Sequence, residues 1–172
     1  MTDFKSYIQY FQLISATHVG IKGFFVMDIN ETLEALRGDI KFPCLILNSL
    51  TGNFSATSLD NIIDQVKGGF LIIDRLEDPD SFVAEMNILN STKEIGQDII
   101  ARMIHDLYDK GTSDSMAAIQ GFNVSSVAYT MLDGIFDNCY GFMFTFQLES
   151  FSDLSFKKEK WGPLPDDYVA KY

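Results

Sequence analysis

Residues 139–148 read Cys-Tyr-Gly-Phe-Met-Phe-Thr-Phe-Gln-Leu, so that Phe142, Phe144, Phe146 and Leu148 alternate with Met143, Thr145 and Gln147. Successive side chains of a β-strand point to opposite faces, and this spacing gathers all four large apolar groups on one side. On a helix the same residues would spread around the axis and bury nothing together. A looser alternation runs over residues 122–131, and Asp133-Gly134-Ile135-Phe136-Asp137-Asn138 between the two carries turn chemistry. The pattern predicts a C-terminal β-hairpin with one strongly aromatic face, and such a face must be covered by another layer.

That layer is predicted by the longest helical pattern in the chain. Over residues 79–110 the apolar positions Phe82, Val83, Met86, Leu89, Ile95, Ile99, Ile100, Met103, Ile104 and Leu107 recur at helical spacing. Asp78 suits an N-cap and Pro79 a first helical position, and Gly111 is a stop. Ser91 and Glu94 have the spacing of a capping box, so the pattern allows one long helix or two nearly collinear ones. A first helix is predicted from Phe4, Tyr7, Ile8, Phe11 and Ile14 with Asp3 as its cap, and a short one over 31–36 ending at Gly38. Residues 42–47 and 70–73 are short apolar runs expected to be buried strands. Residues 21–29 read as a loop with an apolar patch, 51–61 as polar and turn-rich, and Gly68-Gly69 as a turn before the second strand. Residues 62–66 fit either a paired strand or an irregular crossing. The predicted fold class is therefore α+β: a small, mostly antiparallel sheet with the hairpin packed against a long helix and an N-terminal helix. Residues 1–150 form one domain in this reading, and 151–172 an extended C-terminal arm.

Composition narrows the functional classes. A chain of 172 residues with 15 phenylalanines is long enough for a core without staples. Its apolar runs fall far short of the roughly 20 residues that span a bilayer, and Gln9, Tyr10 and Gln12 interrupt any signal-like run, so the expected place of synthesis and action is the cytoplasm, with no membrane partner. The net charge of −11 repels phosphate backbones, which argues against a basic nucleic-acid interface while leaving nucleic acid free to pass nearby. Cys44 and Cys139 make neither a disulfide framework nor a zinc site and are expected to be buried thiols.

No constellation for chemistry stands out. His18 follows the first helix, where it suits the helix C-terminus; His105 lies in the long helix without ligand spacing. Asp74, Glu77, Asp78 and Asp80 lack the spacing of a calcium loop, and acids at a helix start explain them. There is no nucleophile elbow, phosphate-binding glycine loop or His-Glu-x-x-His motif. The expectation is an assembly component with no catalytic residues, metal or cofactor. Its subunit-interface candidates are Met143, Thr145 and Gln147 on the second face of the hairpin, and Phe156, Trp161, Pro163, Leu164 and Tyr168 in the arm, where aromatic and proline side chains anchor well onto a neighbour.

The segments Phe42-Pro43-Cys44-Leu45-Ile46-Leu47, Phe70-Leu71-Ile72-Ile73, Ile99-Ile100-Ala101-Arg102-Met103-Ile104 and Asp137 to Leu148 follow an order that resembles the tail-terminator and neck (head-tail connector, tail-completion) proteins of tailed bacteriophages. The likeness covers residues 4–150 and rests on element order and apolar pattern. It implies a virion protein that forms a homo-oligomeric ring at the neck or tail end, touching portal/connector or tail-tube proteins, with DNA passing through an acidic lumen. Rival readings from another class are a small-molecule-binding domain, with a pocket under the helix, and an acidic protein-interaction domain.

Overall fold

Helices α1 (Phe4–Thr17) and α2 (Phe82–Tyr108) pack on one face of a six-stranded mixed sheet. The computed structural model describes residues 4–26, 40–58, 61–108, 118–135, 138–155 and 157–162. The strands are β1 (Gly23–Val26), β2 (Cys44–Leu47), β3 (Thr51–Ser58), β4 (Asn61–Arg75), β5 (Phe122–Ile135) and β6 (Cys139–Phe151), and a 3-10 turn spans Lys158–Lys160. Across the sheet the order is β1-β2-β4-β6-β5, with β3 paired to β4. Only β1 and β2 run parallel; the other pairs are antiparallel. The fold is thus α+β, as the period switch predicts.

β4 and β6 form the spine. Their register places Phe70 opposite Phe144, Ile72 opposite Phe142 and Val66 opposite Leu148, so the helix-facing residues of both strands meet in pairs. The four alternating residues Phe142, Phe144, Phe146 and Leu148 are all buried there. Phe70 stacks on Phe144 at 5.2 Å between ring centroids, and Phe11 of α1 contacts Phe70 at 5.6 Å and Phe146 at 6.1 Å. α1 buries Tyr7, Tyr10, Phe11 and Ile14, whereas Phe4 stays about half exposed. β2 is buried on both faces, as its unbroken apolar run predicts.

Several sequence expectations need correction. Residues 51–58, read as a turn-rich loop, form β3, whose hydrogen-bonded ladder with β4 substitutes for the apolar alternation that the segment lacks. Residues 62–66, open between a paired strand and an irregular crossing, are paired strand and belong to β4. Gly68-Gly69 is not a turn but the middle of that strand: a Cβ on Gly68 would lie 2.9 Å from the Tyr7 hydroxyl and from Phe146, and one on Gly69 2.7 Å from the Phe144 carbonyl oxygen. The glycines let neighbouring groups close on the backbone. The Tyr7 hydroxyl accepts from Gly69 N at 3.3 Å and donates to Gly69 O at 3.4 Å. Residues 23–26, read as loop, form the edge strand β1. α2 starts three residues later than predicted: Ser81, not Asp78, caps it, its Oγ accepting from Ala84 N at 3.3 Å. Asp78 instead accepts from Asp80 N in the preceding turn. α2 runs unbroken through the apparent capping box, where the Ser91 and Thr92 hydroxyls donate back to the Ile88 carbonyl. The Asp3 cap, the helix over 31–36 and the Gly111 stop lie outside the described residues.

Candidate subunit interface

The helix-free face of the sheet divides into a closed and an open half. In the closed half Cys44, Ile46, Leu71, Ile73 and Cys139 form a second, smaller apolar cluster, with Phe25, Phe42, Leu132 and Met143 packed against it. Both cysteines are buried free thiols. Burial, with Cys139 and Asp74 nearby, pushes the Cys44 thiol up to about 12.

The open half is a cleft of about 470 Å³. Three features make it. Gly69 leaves this face of β4 without a side chain between Asn48 and Thr145. The chain turns out of β2 through Asn48 and Ser49 into β3. On the far side β5 leaves the ladder between Asn123 and Ala128, where the Ser126 hydroxyl replaces a strand partner: it accepts from Gln147 N at 2.8 Å and donates to Asn123 O at 2.6 Å. The cleft is lined by Asn48, Lys67, Ser126, Thr145 and Gln147 among others. Thr145 lies opposite Gly69, and Gln147 opposite Lys67. Asn48 brings a buried side-chain oxygen with no hydrogen-bond partner, while its amide nitrogen lies 3.9 Å from the Met143 sulfur. A buried acceptor without a donor is costly in a closed protein, and here it borders an open surface of mixed donors and acceptors.

The predicted interface residues therefore divide. Met143 is half-buried at the boundary between the two halves, Gln147 is half-buried and Thr145 exposed in the cleft. Trp161 lies elsewhere, in a separate cleft with Asp153, Leu154, Ser155, Lys157 and Lys160, and is 68% exposed. Hydrogen bonds from Ser155, then Lys157 at 3.4 Å, hold the Asp153 carboxyl down at about 2. Phe156, Pro163, Leu164 and Tyr168 lie outside the described residues. Asn48, Lys67 and Ser126 were not singled out from the sequence. The available signal was the Gly-Gly pair beside an apolar strand run, because glycine inside a strand can mark a close approach to the backbone as well as a turn.

The margins of the sheet are as open as the cleft. β6 occupies one side of β4 throughout, so β2 and β3 share the other side, pairing with its second and first halves. Among the described residues nothing pairs with the outer edge of β3 or of β5. β3 contains no charged residue and β5 only Asp133. Edge strands are ordinarily guarded by charge, proline or shortness; β3 and β5 have eight and 14 residues.

His18, His105 and Asp74 have local partners. His18 Nε2 lies 3.3 Å from Asp98 Oδ2, and its Nδ1 accepts from Gly20 N at 3.0 Å. Asp106 receives Arg102 Nε at 2.8 Å, the Tyr10 hydroxyl at 3.1 Å and His105 at 3.3 Å, tying α2 to α1. Burial pushes the Asp106 carboxyl upward, but these hydrogen bonds outweigh it and hold the group below the usual range. Burial raises Asp74, which accepts from Arg75 N. Among the described residues no three or more His, Cys, Asp or Glu side chains converge on a point, and no helix is long and apolar enough to cross a membrane.

No protein-family model matches the chain, and no curated protein matches it.

Proposed function

We propose that this chain is a structural subunit that joins copies of itself head to tail into a closed ring. The observation that carries the reading is the outer edge of β5, a 14-residue strand with a single charge that is unpaired among the described residues, on which Tyr129 and Met131 are each 53% exposed. Such an edge offers a row of unpaired backbone groups and two large apolar side chains, which suits a protein partner and no small substrate. The cleft beside Thr145 and Gln147 adds further donors and acceptors on the same hairpin.

Within that class, the reading is a ring at the phage neck or tail end, a head-tail connector or tail terminator of the virion, whose order of elements and apolar pattern this chain resembles. Its axial neighbours are portal/connector or tail-tube proteins. A net charge of −11 per copy lets DNA slide past without being gripped. Native mass spectrometry and negative-stain electron microscopy of the purified chain test the reading. A closed ring of single stoichiometry, with no retention on DNA at moderate salt, is expected. A protein that stays monomeric at every concentration, alone and with its particle, refutes it.

A further inference from the structure

We infer that β3 is the second half of the subunit contact and receives β5 of the next copy, so that the sheets of all copies join into one. The inference rests on the ring reading and names the surfaces that close it.

Direction comes first. β6 is antiparallel to β4 and β5 to β6, so β5 runs along β4; β3 is antiparallel to β4. β3 and β5 therefore run in opposite senses at opposite margins of the sheet. Copies related by rotation about an axis that follows the strands bring β5 of one beside β3 of the next as an antiparallel pair. β3 lies level with the first half of β4, and the regular stretch of β5, residues 128–132, with its second half through β6. The joined sheet therefore steps along its strands from copy to copy, and the strands run oblique to the axis as they do in any closed sheet.

The side chains agree with that pairing. Phe54 lies opposite Asp64, on the same face as Val66 and Leu148, so the helix side of β3 carries Gly52, Phe54 and Ala56. On β5 the helix side carries Tyr129 and Met131, opposite Phe144 and Phe142. Phe54 is 55% exposed, close to the values for Tyr129 and Met131. Joining the edges with the faces kept would place these three apolar side chains together on the helix side. The other side would carry Asn53 and Ser55 beside Ala128 and Thr130. Cross-strand aromatic pairs are among the stronger contacts in sheets. Two-fold pairing of β3 with β3, or β5 with β5, leaves the other edge of every copy open; β3 with β5 satisfies both and is heterologous, as ring closure demands.

Site-directed cross-linking tests this in the full chain. Ser55 and Thr130 are exposed, and the native Cys44 and Cys139 are buried. The variants Ser55→Cys and Thr130→Cys, checked by circular dichroism, are treated with a short bis-maleimide separately and mixed. Cross-linked dimers are expected only in the mixture, and a ladder up to the full ring from the double variant. Cross-linking within Ser55→Cys alone or Thr130→Cys alone overturns the inference in favour of two-fold contacts. Rings by native mass spectrometry without any cross-link overturn the inference and leave the ring reading standing. Monomers throughout remove both.

Discussion

Gly96 faces the centre of the sheet, and replacing it by alanine sets two known effects against each other. Helix propensity favours the change, because alanine in a helix interior is more stable than glycine by about 1 kcal/mol. Packing opposes it. A Cβ at Gly96 would lie 2.0 Å from Phe144 Cε2, 2.3 Å from Cζ and 2.9 Å from Cδ2. Relief requires a shift of about 1 Å, the gap between 2.0 Å and the 3.0 Å that real contacts seldom breach. Phe144 has nowhere to go: it is 2% exposed, stacked on Phe70 and held from the side by Tyr129 at 5.8 Å. The helix must rise instead, loosening Leu89, Ile99 and Met103 on the same buried face. Overpacking of this kind costs about 1–3 kcal/mol, and more where the neighbour is rigid. At the upper end of that range, less the roughly 1 kcal/mol gained from propensity, Gly96→Ala should be destabilised by about 1–2 kcal/mol, a Tm lowered by roughly 2–8 °C for a chain of this size. Urea denaturation with an unchanged m-value is the assay. The double variant Gly96→Ala/Phe144→Leu, in which the ring edge is removed, should recover at least half of the loss relative to Phe144→Leu alone. A stabilised Gly96→Ala protein would refute the packing argument, because propensity would then be the only term at work.

Three further outcomes follow from the same geometry. Gly121 has φ +77° and its Cβ would lie 1.7 Å from the Glu149 carbonyl oxygen; Gly121→Ala should lose about 2–3 kcal/mol in urea melts, since both the backbone region and the space exclude a side chain. Asp106→Asn should cost about 1 kcal/mol at pH 7 by weakening the Arg102 and Tyr10 contacts. Because the folded pKa of Asp106 is depressed, that contribution is complete above the unfolded value near 3.9 and disappears as pH falls through the folded value, so variant and parent should converge once the pH lies below the folded value. The Cys44 thiol, pushed up to about 12 within a buried cluster, should resist a thiol-reactive dye at pH 8 until the protein unfolds; rapid labelling of the native protein would show that the second cluster is not closed.

The core was readable because each of its signals was redundant. Phe142, Phe144, Phe146 and Leu148 fix their face by period, and α2 fixes its own by spacing, so the long helix over the aromatic hairpin emerges without other information. Boundaries failed where two groups competed for one role. Asp78 and Ser81 both suit an N-cap, and Asp78 is spent on the turn to Asp80, which leaves Ser81 for the helix. Gly68-Gly69 carries the residue signature of a turn, and only the approach of Tyr7 and Phe146 from distant parts of the chain makes it a strand. Of the candidate interface, Thr145 and Gln147 were legible by alternation with the phenylalanines. Asn48 and Ser126 were not, because each lines the cleft through a break in a strand that no local pattern marks.

β3 is the most informative failure. A strand that packs against a core leaves a period of apolar residues, and Thr-Gly-Asn-Phe-Ser-Ala-Thr-Ser leaves none because the described side chains of β3 are exposed. Its order comes from the ladder with β4 alone, on one side. A two-stranded margin with so little burial is marginal by itself, yet β3 also lacks the charges and prolines that keep such margins from pairing further. A segment selected only for solubility would be expected to carry them. The proposed assembly would give the absence of an apolar period and the absence of guarding residues one explanation in common: a strand specified by what is added to its outer edge, not by what lies beneath it. That places the hardest segment to read from the sequence at the point where the proposed assembly would form, as expected when local signals are relaxed at a functional site.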